Sequence, residues 1–390
     1  MEYKRLGDYI REVNVRNRDL KVTNPMGINI EKYFMPSVAN VIGTDLSAYK
    51  MVFKNQFACN LMHVGRDEKI PIAMHTGENP IIVSPAYFVF EIIPVETHDR
   101  ASLQTNELLT EYLMMWFRRP EFDRNAWFYT DADVRGGMDK KALMDMRLPV
   151  PDIARQREIV AEYETLTNRI RLNNQMIQHL EATAQALYRK TFVDNIDKEN
   201  LPEGWRMGKI TDICEVKDGT HDSPKPVEHG FPLITSVHLS TWHLLLEQAY
   251  RISNQDYVKI NERSLVETND ILFSMIGTIG TVSYVSYEII DFAVKNMAIF
   301  KTSHNLQYAE YVLCFLKSKE MNSYLAESII GSTQNYVTLN ILREIPIIIP
   351  DKIEQFHEIT EHMVSHIWIT TKENEKLTEL QSLLLARMGK

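Results

Sequence analysis

The stretch Arg147-Leu148-Pro149-Val150-Pro151-Asp152 precedes one long helical pattern, and Pro346-Ile347-Ile348-Ile349-Pro350-Asp351 precedes another. In each stretch an aspartate follows a proline at the point where the helical pattern starts. Its carboxylate can accept a hydrogen bond from a first-turn N–H, and its charge favours the positive end of a helix. The sequence therefore predicts helices that begin near residues 153 and 352.

A nearly constant offset relates these two stretches and others. A shift of 199 residues places Glu111-Tyr112-Leu113 on Glu310-Tyr311-Val312 and Gln156 on Gln355, and one further insertion raises the shift to 200. Several matches in the same order indicate an internal duplication, whose two halves share one design.

Each half ends in a heptad pattern, in which apolar residues recur in alternating steps of three and four. The predicted seam of the first helix is Ile159, Tyr163, Leu166, Ile170, Asn173, Ile177, Leu180, Ala184 and Leu187. The predicted seam of the second helix, offset by 200, is Ile359, Met363, His366, Thr370, Glu373, Leu377, Leu380, Leu384 and Arg387. A lone Asn at a seam position commonly fixes the register of paired helices, and we favour that role for Asn173 over a binding role.

The remaining blocks, roughly residues 1–150 and 200–349, alternate short β-rich runs with turn clusters. Tyr87–Ile92 and Ile279–Val285 predict strands, while Asp218-Gly219-Thr220 predicts a turn. The acidic segment from Asp194 to Gly204 predicts a hinge between the halves. The predicted fold class is α+β, with two globular β-rich domains that are each followed by a long helix.

Composition limits the class of protein. The 390 residues include 43 Lys and Arg against 52 Asp and Glu, which gives a net charge of −9. The three cysteines form no CxxC pair, which favours a reducing compartment. The start of the sequence lacks a signal-peptide pattern, and no apolar run approaches the ~18 residues that span a bilayer. We expect two or three domains in a cytoplasmic protein without membrane segments.

Several catalytic motifs are absent from the sequence. Asn79-Pro80-Ile81-Ile82 lacks the second proline and the aromatic residue of base-amino methyltransferases, and the sequence has no GxxxxGK[ST] phosphate loop. No Glu-x-Lys triplet follows either Pro-Asp pair, as a PD-(D/E)xK nuclease requires. His362 and His366 have a spacing that can bind a metal, but the helical pattern already accounts for it, and we predict no metal site.

Two variable blocks, each followed by a proline-bounded strand end and a helix that begins Pro-Asp-x-x-x-Gln, resemble the specificity subunit of type I restriction-modification enzymes. The resemblance covers essentially the whole chain. Besides the two stretches quoted first, it rests on Leu201-Pro202-Glu203-Gly204-Trp205, Lys217-Asp218-Gly219-Thr220-His221-Asp222-Ser223-Pro224, Asn269-Asp270-Ile271-Leu272 and Gly277-Thr278-Ile279-Gly280.

The resemblance implies a domain plan. Residues 1–147 and 196–345 would be target recognition domains, each reading one half of a split site on double-stranded DNA. Residues 148–195 and 346–390 would be helices that form an antiparallel coiled-coil spacer and dock two modification subunits. Because the first block lacks the Asp-Gly-Thr-His segment of the second, the resemblance implies an asymmetric bipartite site.

The resemblance also implies that this subunit catalyses nothing and binds no cofactor. Modification subunits would methylate adenine with S-adenosylmethionine. Restriction subunits would use ATP and Mg²⁺ for translocation and cleavage.

Charge is the main objection to DNA binding. Residues 1–150 hold 19 basic and 20 acidic side chains, and residues 201–350 hold 12 and 17, so neither block is basic. We therefore assign most phosphate contacts to the partner subunits. Base contacts are expected from polar residues in glycine-containing loops. The candidates are His63, Arg66, Lys69, Arg135, Lys217, Thr220, His221, Lys225, Ser236 and His238.

A rival hypothesis remains open at this stage. The acidic balance and the helices also fit a non-DNA assembly or adaptor protein, with two β-rich modules that bind protein or glycan on a coiled-coil spacer. The double match at one offset favours the DNA-specificity hypothesis.

Overall fold

The computed structural model describes residues 3–37, 43–62, 64–94, 107–130, 136–328 and 336–388, without the side chains of Gly65 and Arg66. The chain divides into two compact units. Unit 1 comprises Met1–Ile170 and Lys376–Lys390, and unit 2 comprises Arg171–Glu375. The boundaries therefore fall inside the two long helices, and the predicted hinge lies wholly within unit 2. No helix in the described ranges combines the length and apolarity needed to cross a membrane.

Unit 1 combines short strands with helices. Its strands are β1 (Tyr3–Arg5), β2 (Ile10–Glu12), β3 (Pro25–Ile28), β4 (Phe34–Pro36), β5 (Lys50–Val52), β6 (Phe57–Cys59), β7 (Ile72–Met74), β8 (Ile81–Val83), β9 (Phe88–Ile92) and β10 (Arg147–Pro149). Its helices are α1 (Val64–Asp67), α2 (Thr110–Phe117), α3 (Pro120–Phe128), α4 (Lys140–Asp145) and the first part of α5 (Ile153–Phe192). One sheet has the strand order β2-β9-β6-β7 and a second the order β4-β3-β8-β5, while β1 pairs with β10.

The alternation of side chains along β6 and β9 builds two apolar layers in unit 1. Phe57, Phe88 and Phe90 are buried in the cluster that contains the residues of α2 and α3. Ala58 and Val89 belong to a cluster with residues of the second sheet. Successive side chains of a strand point to opposite faces. The sheet that contains β6 and β9 therefore packs against helices on one face and against the second sheet on its other face.

Unit 2 has the same kinds of element. Its strands are β11 (Arg206–Lys209), β12 (Val216–Asp218), β13 (Phe231–Ile234), β14 (Arg251–Ile252), β15 (Ile271–Ser274), β16 (Val282–Tyr284), β17 (Ala293–Val294), β18 (Met297–Phe300) and β19 (Pro346–Ile349). Its helices are α6 (Asn254–Ser264), α7 (Ala309–Leu316), α8 (Lys319–Ser328), α9 (Leu339–Arg343) and most of α10 (Glu354–Arg387). The sheets have the orders β12-β18-β15-β16 and β14-β13-β17, and β11 pairs with β19.

The same alternation organises the core of unit 2. Phe273 and Phe300 lie in the cluster that includes residues of α7 and α10. Leu272 and Ile299, their neighbours along β15 and β18, belong to a separate cluster with residues of the other sheet. The fold class is therefore α+β in both units, with helices on one face of a four-stranded sheet.

Each long helix contributes to both units. In unit 1, Gln381 of α10 donates a hydrogen bond to Thr167 Oγ1 of α5 at 2.7 Å. In unit 2, Asn173 Nδ2 donates to Glu373 Oε2 at 3.0 Å and to Asn374 Oδ1 at 2.9 Å. Asn173 is 2% exposed, so a polar side chain takes a buried seam position between the two helices, where an apolar residue would be expected.

The predicted seam of α5 follows its buried face. Tyr163, Asn173 and Ala184 are buried, and the predicted positions between them are half-buried: Leu166, Ile170, Ile177 and Leu180.

The predicted seam of α10 needs a correction, because the buried positions lie elsewhere along much of the helix. Leu380 is 47% exposed and His366 is exposed, whereas Ile367 and Thr371 are buried. Met363, Leu377 and Leu384 of the predicted seam are half-buried.

The starts of the long helices differ in their caps. Asp152 Oδ1 accepts a hydrogen bond from Arg155 N at 2.9 Å, as its capping role predicts, and α5 starts at Ile153. Helix α10 starts at Glu354, three residues after Asp351, so Asp351 does not occupy the predicted capping position.

Candidate nucleic-acid interface

The loops that carry the polar candidates of unit 2 meet at one edge of its sheets. β12 ends at Asp218 opposite Ala298, and β15 ends at Ser274 opposite Met297. β13 runs parallel to β17, with Ile234 opposite Val294. The segments 219–225, 235–240, 275–281 and 295–296 therefore converge, and we call them loop edge 2.

The Asp218-Gly219-Thr220 turn is fixed by backbone hydrogen bonds. Gly219 N donates to Met297 O at 2.8 Å, Thr220 N donates to Val294 O at 3.0 Å, and Asn296 N donates to Thr220 O at 3.0 Å. A Cβ atom at Gly219 would lie 2.8 Å from Val294 O, so only glycine fits this close approach. The turn is thus a rigid base for the residues that follow it.

His221 is held above this turn by two acceptors. Its Nδ1 lies 2.8 Å from Asn296 Oδ1 and its Nε2 lies 2.9 Å from Asp218 Oδ2, while 61% of the side chain is exposed. The hydrogen bond to Asn296 raises the pKa of His221, with a further contribution from the Asp218 charge, because both acceptors favour a ring protonated at both nitrogens. Since both ring nitrogens lie against these acceptors, His221 presents its exposed ring face and no free N–H donor.

Two predicted DNA contacts of unit 2 are buried. Thr220 is 5% exposed, and its Oγ1 accepts a hydrogen bond from Asp222 N at 3.1 Å. His238 is 8% exposed, its Nδ1 accepts from Thr235 N at 3.0 Å, and burial lowers its pKa. These two side chains hold the shape of the loops.

The other predicted residues of unit 2 are accessible to different degrees. Lys217 lies within β12, and its Nζ is 3.7 Å from Glu215. Lys225 is exposed and Ser236 is half-buried. A Cβ atom at Gly277 would lie 3.6 Å from Ser236 Oγ, so Ser236 borders the Gly277–Gly280 turn.

The structure places further residues in loop edge 2, and one beside it on α6, that the sequence did not single out. Lys295 Nζ contacts Ser223 Oγ, Lys259 Nζ lies 4.0 Å from Asp222, and Asn296 holds His221. Lys295-Asn296 is a polar break between the apolar strands β17 and β18, a signal that the sequence does contain.

A corresponding edge exists in unit 1. β6 ends at Cys59 opposite Phe88, the first residue of β9, and β3 runs parallel to β8 with Met26 opposite Val83. The segments 29–33, 60–62, 64–71 and 84–87 therefore converge, and we call them loop edge 1.

One predicted contact of unit 1 can be placed at this edge. Lys69 Nζ lies 3.1 Å from Glu31 Oε1, which joins two of the segments. His63, Arg135 and the side chain of Arg66 lie outside the described residues.

Metal binding is a separate question. Within the described part of the chain, no group of three or more His, Cys, Asp or Glu residues is arranged to hold a metal ion.

Comparison with known proteins finds similar specificity subunits. Residues 202–382 match the model of the type I restriction modification DNA specificity domain. The chain is 20% identical over 268 residues to the type I restriction enzyme MjaVIII specificity subunit of Methanocaldococcus jannaschii, covering 64% of this chain and 62% of that protein. It is 23% identical over 247 residues to the EcoBI specificity subunit of Escherichia coli, covering 57% and 52%.

The chain is thus similar to specificity subunits of type I restriction enzymes, and the matched family model covers residues 202–382. The chain spans less than two thirds of the length of these two relatives. Its fold is similar to that of a specificity subunit from M. genitalium, with a TM-score of 0.57 at 13% identity over 100% of this chain and 96% of the other.

One segment that resembles the specificity-subunit family has a structural role. Asp270 of the Asn269-Asp270-Ile271-Leu272 segment is fully buried and pairs with Lys301, which is 1% exposed. Lys301 Nζ also lies 2.6 Å from Glu267, and this ion pair lowers the pKa of Glu267. Asp270 therefore supports the strand that leads to loop edge 2.

Proposed function

We propose that this protein is the DNA sequence-specificity subunit of a type I restriction-modification enzyme. Loop edge 2 carries the proposal, because it joins a fixed glycine turn, an exposed histidine that favours protonation, and lysines on neighbouring segments. Such an edge can meet base edges and phosphates of a major groove, while the strands behind it hold the loops in place. Loop edge 1 would read the other half-site.

Two recognition domains of one design support a bipartite target. α2 and α7 have bounds that differ by 199 residues, as do the starts of α3 and α8. Tyr112 donates a hydrogen bond to Pro149 O, and Tyr311 donates to Ile348 O, at the same offset. The proposed readers, residues 1–147 and 196–345, differ in their loop sequences, which favours an asymmetric site.

The contacts of the long helices support an antiparallel coiled-coil spacer. Asn173 contacts Glu373 and Asn374, while Phe192 lies 5.1 Å from Phe356, ring centroid to ring centroid. As the residue number rises along α5 it falls along α10, as in helices that run in opposite directions. Residues 148–195 and 346–390 would therefore hold the readers apart and dock two modification subunits.

In this proposal the chain itself is not catalytic. The modification subunits would transfer a methyl group from S-adenosylmethionine to adenine, and restriction subunits would use ATP and Mg²⁺. The specificity subunit would supply the positions of the two half-sites.

A reader exchange tests the proposal. Residues 1–147 are replaced by the corresponding reader of a relative, and the exchanged chain is assembled with its modification subunits. We expect one half of the methylated sequence to change while the other half stays the same, which sequencing of methylated adenines can measure. A change in both halves, or unchanged methylation, would contradict independent readers.

A further inference from the structure

A polar cleft of about 190 Å³ opens in unit 2, away from loop edge 2. Glu310 of α7 and Tyr284 of β16 line one part of it. His357, Glu361 and Trp368 line the other part, from successive turns of α10. The cleft can hold a group of several non-hydrogen atoms.

Glu310 is the most deeply buried charge of the cleft. It is 2% exposed, and its Oε2 lies 2.7 Å from His357 Nδ1. The Tyr284 hydroxyl lies 3.4 Å from Glu310 Oε1. Burial raises the pKa of Glu310, and the hydrogen bond from His357 opposes this shift. Each carboxylate oxygen can accept a further hydrogen bond, so a bound donor would stabilise the ionised form.

Further hydrogen-bond acceptors line the cleft. Glu361 adds a second carboxylate and Asn269 an amide oxygen. Ser286 Oγ is buried and has no hydrogen-bond partner among the described residues. A buried polar atom without a partner costs free energy that a donor in the cleft would recover. Two carboxylates oppose an anionic ligand and favour a cation with several N–H groups.

The neighbouring aromatic ring already interacts with a cation. Lys372 Nζ lies 4.4 Å from the centroid of Trp368, outside the lining of the cleft, and it pairs with Glu375 at 2.9 Å. Because Lys372 occupies a face of Trp368, attraction for a cation in the cleft must come from the carboxylates of Glu310 and Glu361.

We propose that this cleft binds an organic cation through a guanidinium or primary ammonium group, with Glu310 and Glu361 as its counter-charges. The first half of the chain does not repeat it. At the 200-residue offset, Arg157, Ala161 and Asn168 stand where the second half has His357, Glu361 and Trp368. A ligand of this class would therefore bind at one place in the duplicated chain.

Calorimetric titration of the full chain tests the proposal. Agmatine provides the guanidinium group, and N-butylurea is a neutral compound of similar shape. We expect agmatine to bind with one site per chain and N-butylurea not to bind. Glu361→Gln should weaken agmatine binding about tenfold, because one charge-assisted contact is lost. Glu358→Gln changes an exposed residue of the same helix outside the cleft and should leave binding unchanged.

The buried position of Glu310 calls for a separate check. Glu310→Gln should abolish agmatine binding in a chain whose circular dichroism spectrum stays native. If that variant unfolds, the comparison of Glu361→Gln with Glu358→Gln decides alone. Equal binding by both of these variants, or equal binding of agmatine and N-butylurea, would overturn the proposal.

The cation can come from a protein side chain or from a free polyamine. Binding of free agmatine is independent of DNA recognition, whereas assembly with modification subunits rests on the proposed function. If a partner's Arg or Lys fills the cleft, Glu361→Gln should weaken assembly about tenfold and agmatine should compete with it. If the natural ligand is free, spermidine should bind the assembled complex and assembly should not change.

Discussion

At the scale of single residues, the position of His221 depends on a contact that the sequence does not reveal. Asn296 lies 75 residues along the chain from His221 and reaches it because β12 and β18 pair antiparallel, with Asp218 opposite Ala298. The Asp-Gly-Thr-His segment predicts a turn, and the glycine is explained by the close approach to Val294 O. The partner of the histidine follows only from strand order, which local patterns do not encode.

We predict that Asn296→Gly lowers the pKa of His221. Asn296 has a φ of 55°, so glycine keeps the backbone without strain while the acceptor is removed. Because the pKa of His221 is raised above the ordinary 6.5, the stabilisation from its contacts with Asn296 and Asp218 is fully present below that pH. It is lost as the pH rises through the raised value. In the variant this loss should occur at lower pH. NMR titration of the His221 ring measures it.

Asn195→Gly is the matched control for this variant. Asn195 also has a positive φ, 62°, and it has no bond to His221. An unchanged titration of His221 in Asn296→Gly would show that Asp218 alone sets its protonation.

The buried pair of Asp270 and Lys301 leads to a second prediction at this scale. Asp270→Ala leaves the Lys301 ammonium buried with Glu267 as its remaining charged partner. Loss of one member of a buried pair costs about 3 kcal/mol in the free energy of unfolding. Urea unfolding measures it, with the exposed Asp291→Ala as a control near zero. Equal stability of the two variants would mean that Asp270 does not support the domain.

At the scale of elements, the two long helices show why a heptad pattern predicts one seam better than another. In α5 the seam positions are mostly apolar and lie on its buried face. In α10, Thr360 and Thr371 are buried because each hydroxyl donates to the carbonyl four residues earlier, at 2.7 and 2.8 Å. Ile369 is 64% exposed. The seam carried over from α5 at an offset of 200 is therefore right at the buried Thr370 but misplaced at His366 and Leu380, because polar side chains that satisfy their own hydrogen bonds can take other core positions.

The polar contact between the helices can be tested by Asn173→Leu. The substitution removes the hydrogen bonds from Asn173 to the half-buried Glu373 and Asn374, and loss of hydrogen bonds that include a charged acceptor costs about 1–3 kcal/mol. We expect the free energy of unfolding to fall by that amount, and a second substitution, Asn374→Leu, to restore part of it. Urea unfolding of the single and double variants measures this.

Gln178→Leu, at an exposed position of the same helix, controls for the added apolar side chain. A higher free energy of unfolding for Asn173→Leu alone would show that the polar contact destabilises the fold. Its role would then be only to fix the register of the two helices.

At the scale of the whole molecule, the net charge bears on which subunit contacts the DNA phosphates, and the length of the long helices bears on the spacing of the half-sites. A net charge of −9 leaves few cations for phosphates, and both lysines described in loop edge 1 are already paired, Lys32 with Asp123 and Lys69 with Glu31. Affinity for DNA rises with the number of phosphates that a complex neutralises. The proposed division of labour follows from this: the specificity subunit positions the base contacts, and the modification subunits contribute most of the phosphate contacts.

Changing the length of the long helices tests whether they set the distance between the two half-sites. Inserting one heptad after Ile170 in α5 and one after Leu377 in α10 keeps both seams in phase, because a heptad repeats the pattern of paired helices. Seven residues at 1.5 Å lengthen the proposed spacer by about 10 Å, or about three base pairs at ~3.4 Å each. We expect the methylated site to keep both half-sites while the unspecified gap between them widens by about three base pairs. Mapping methylated adenines of the assembled variant measures this, and inserting the heptad in α5 alone is the control, since unequal helices lose their seam. An active complex with an unchanged gap would show that the helices do not set the spacing, and residues 148–195 and 346–390 would then act in docking alone.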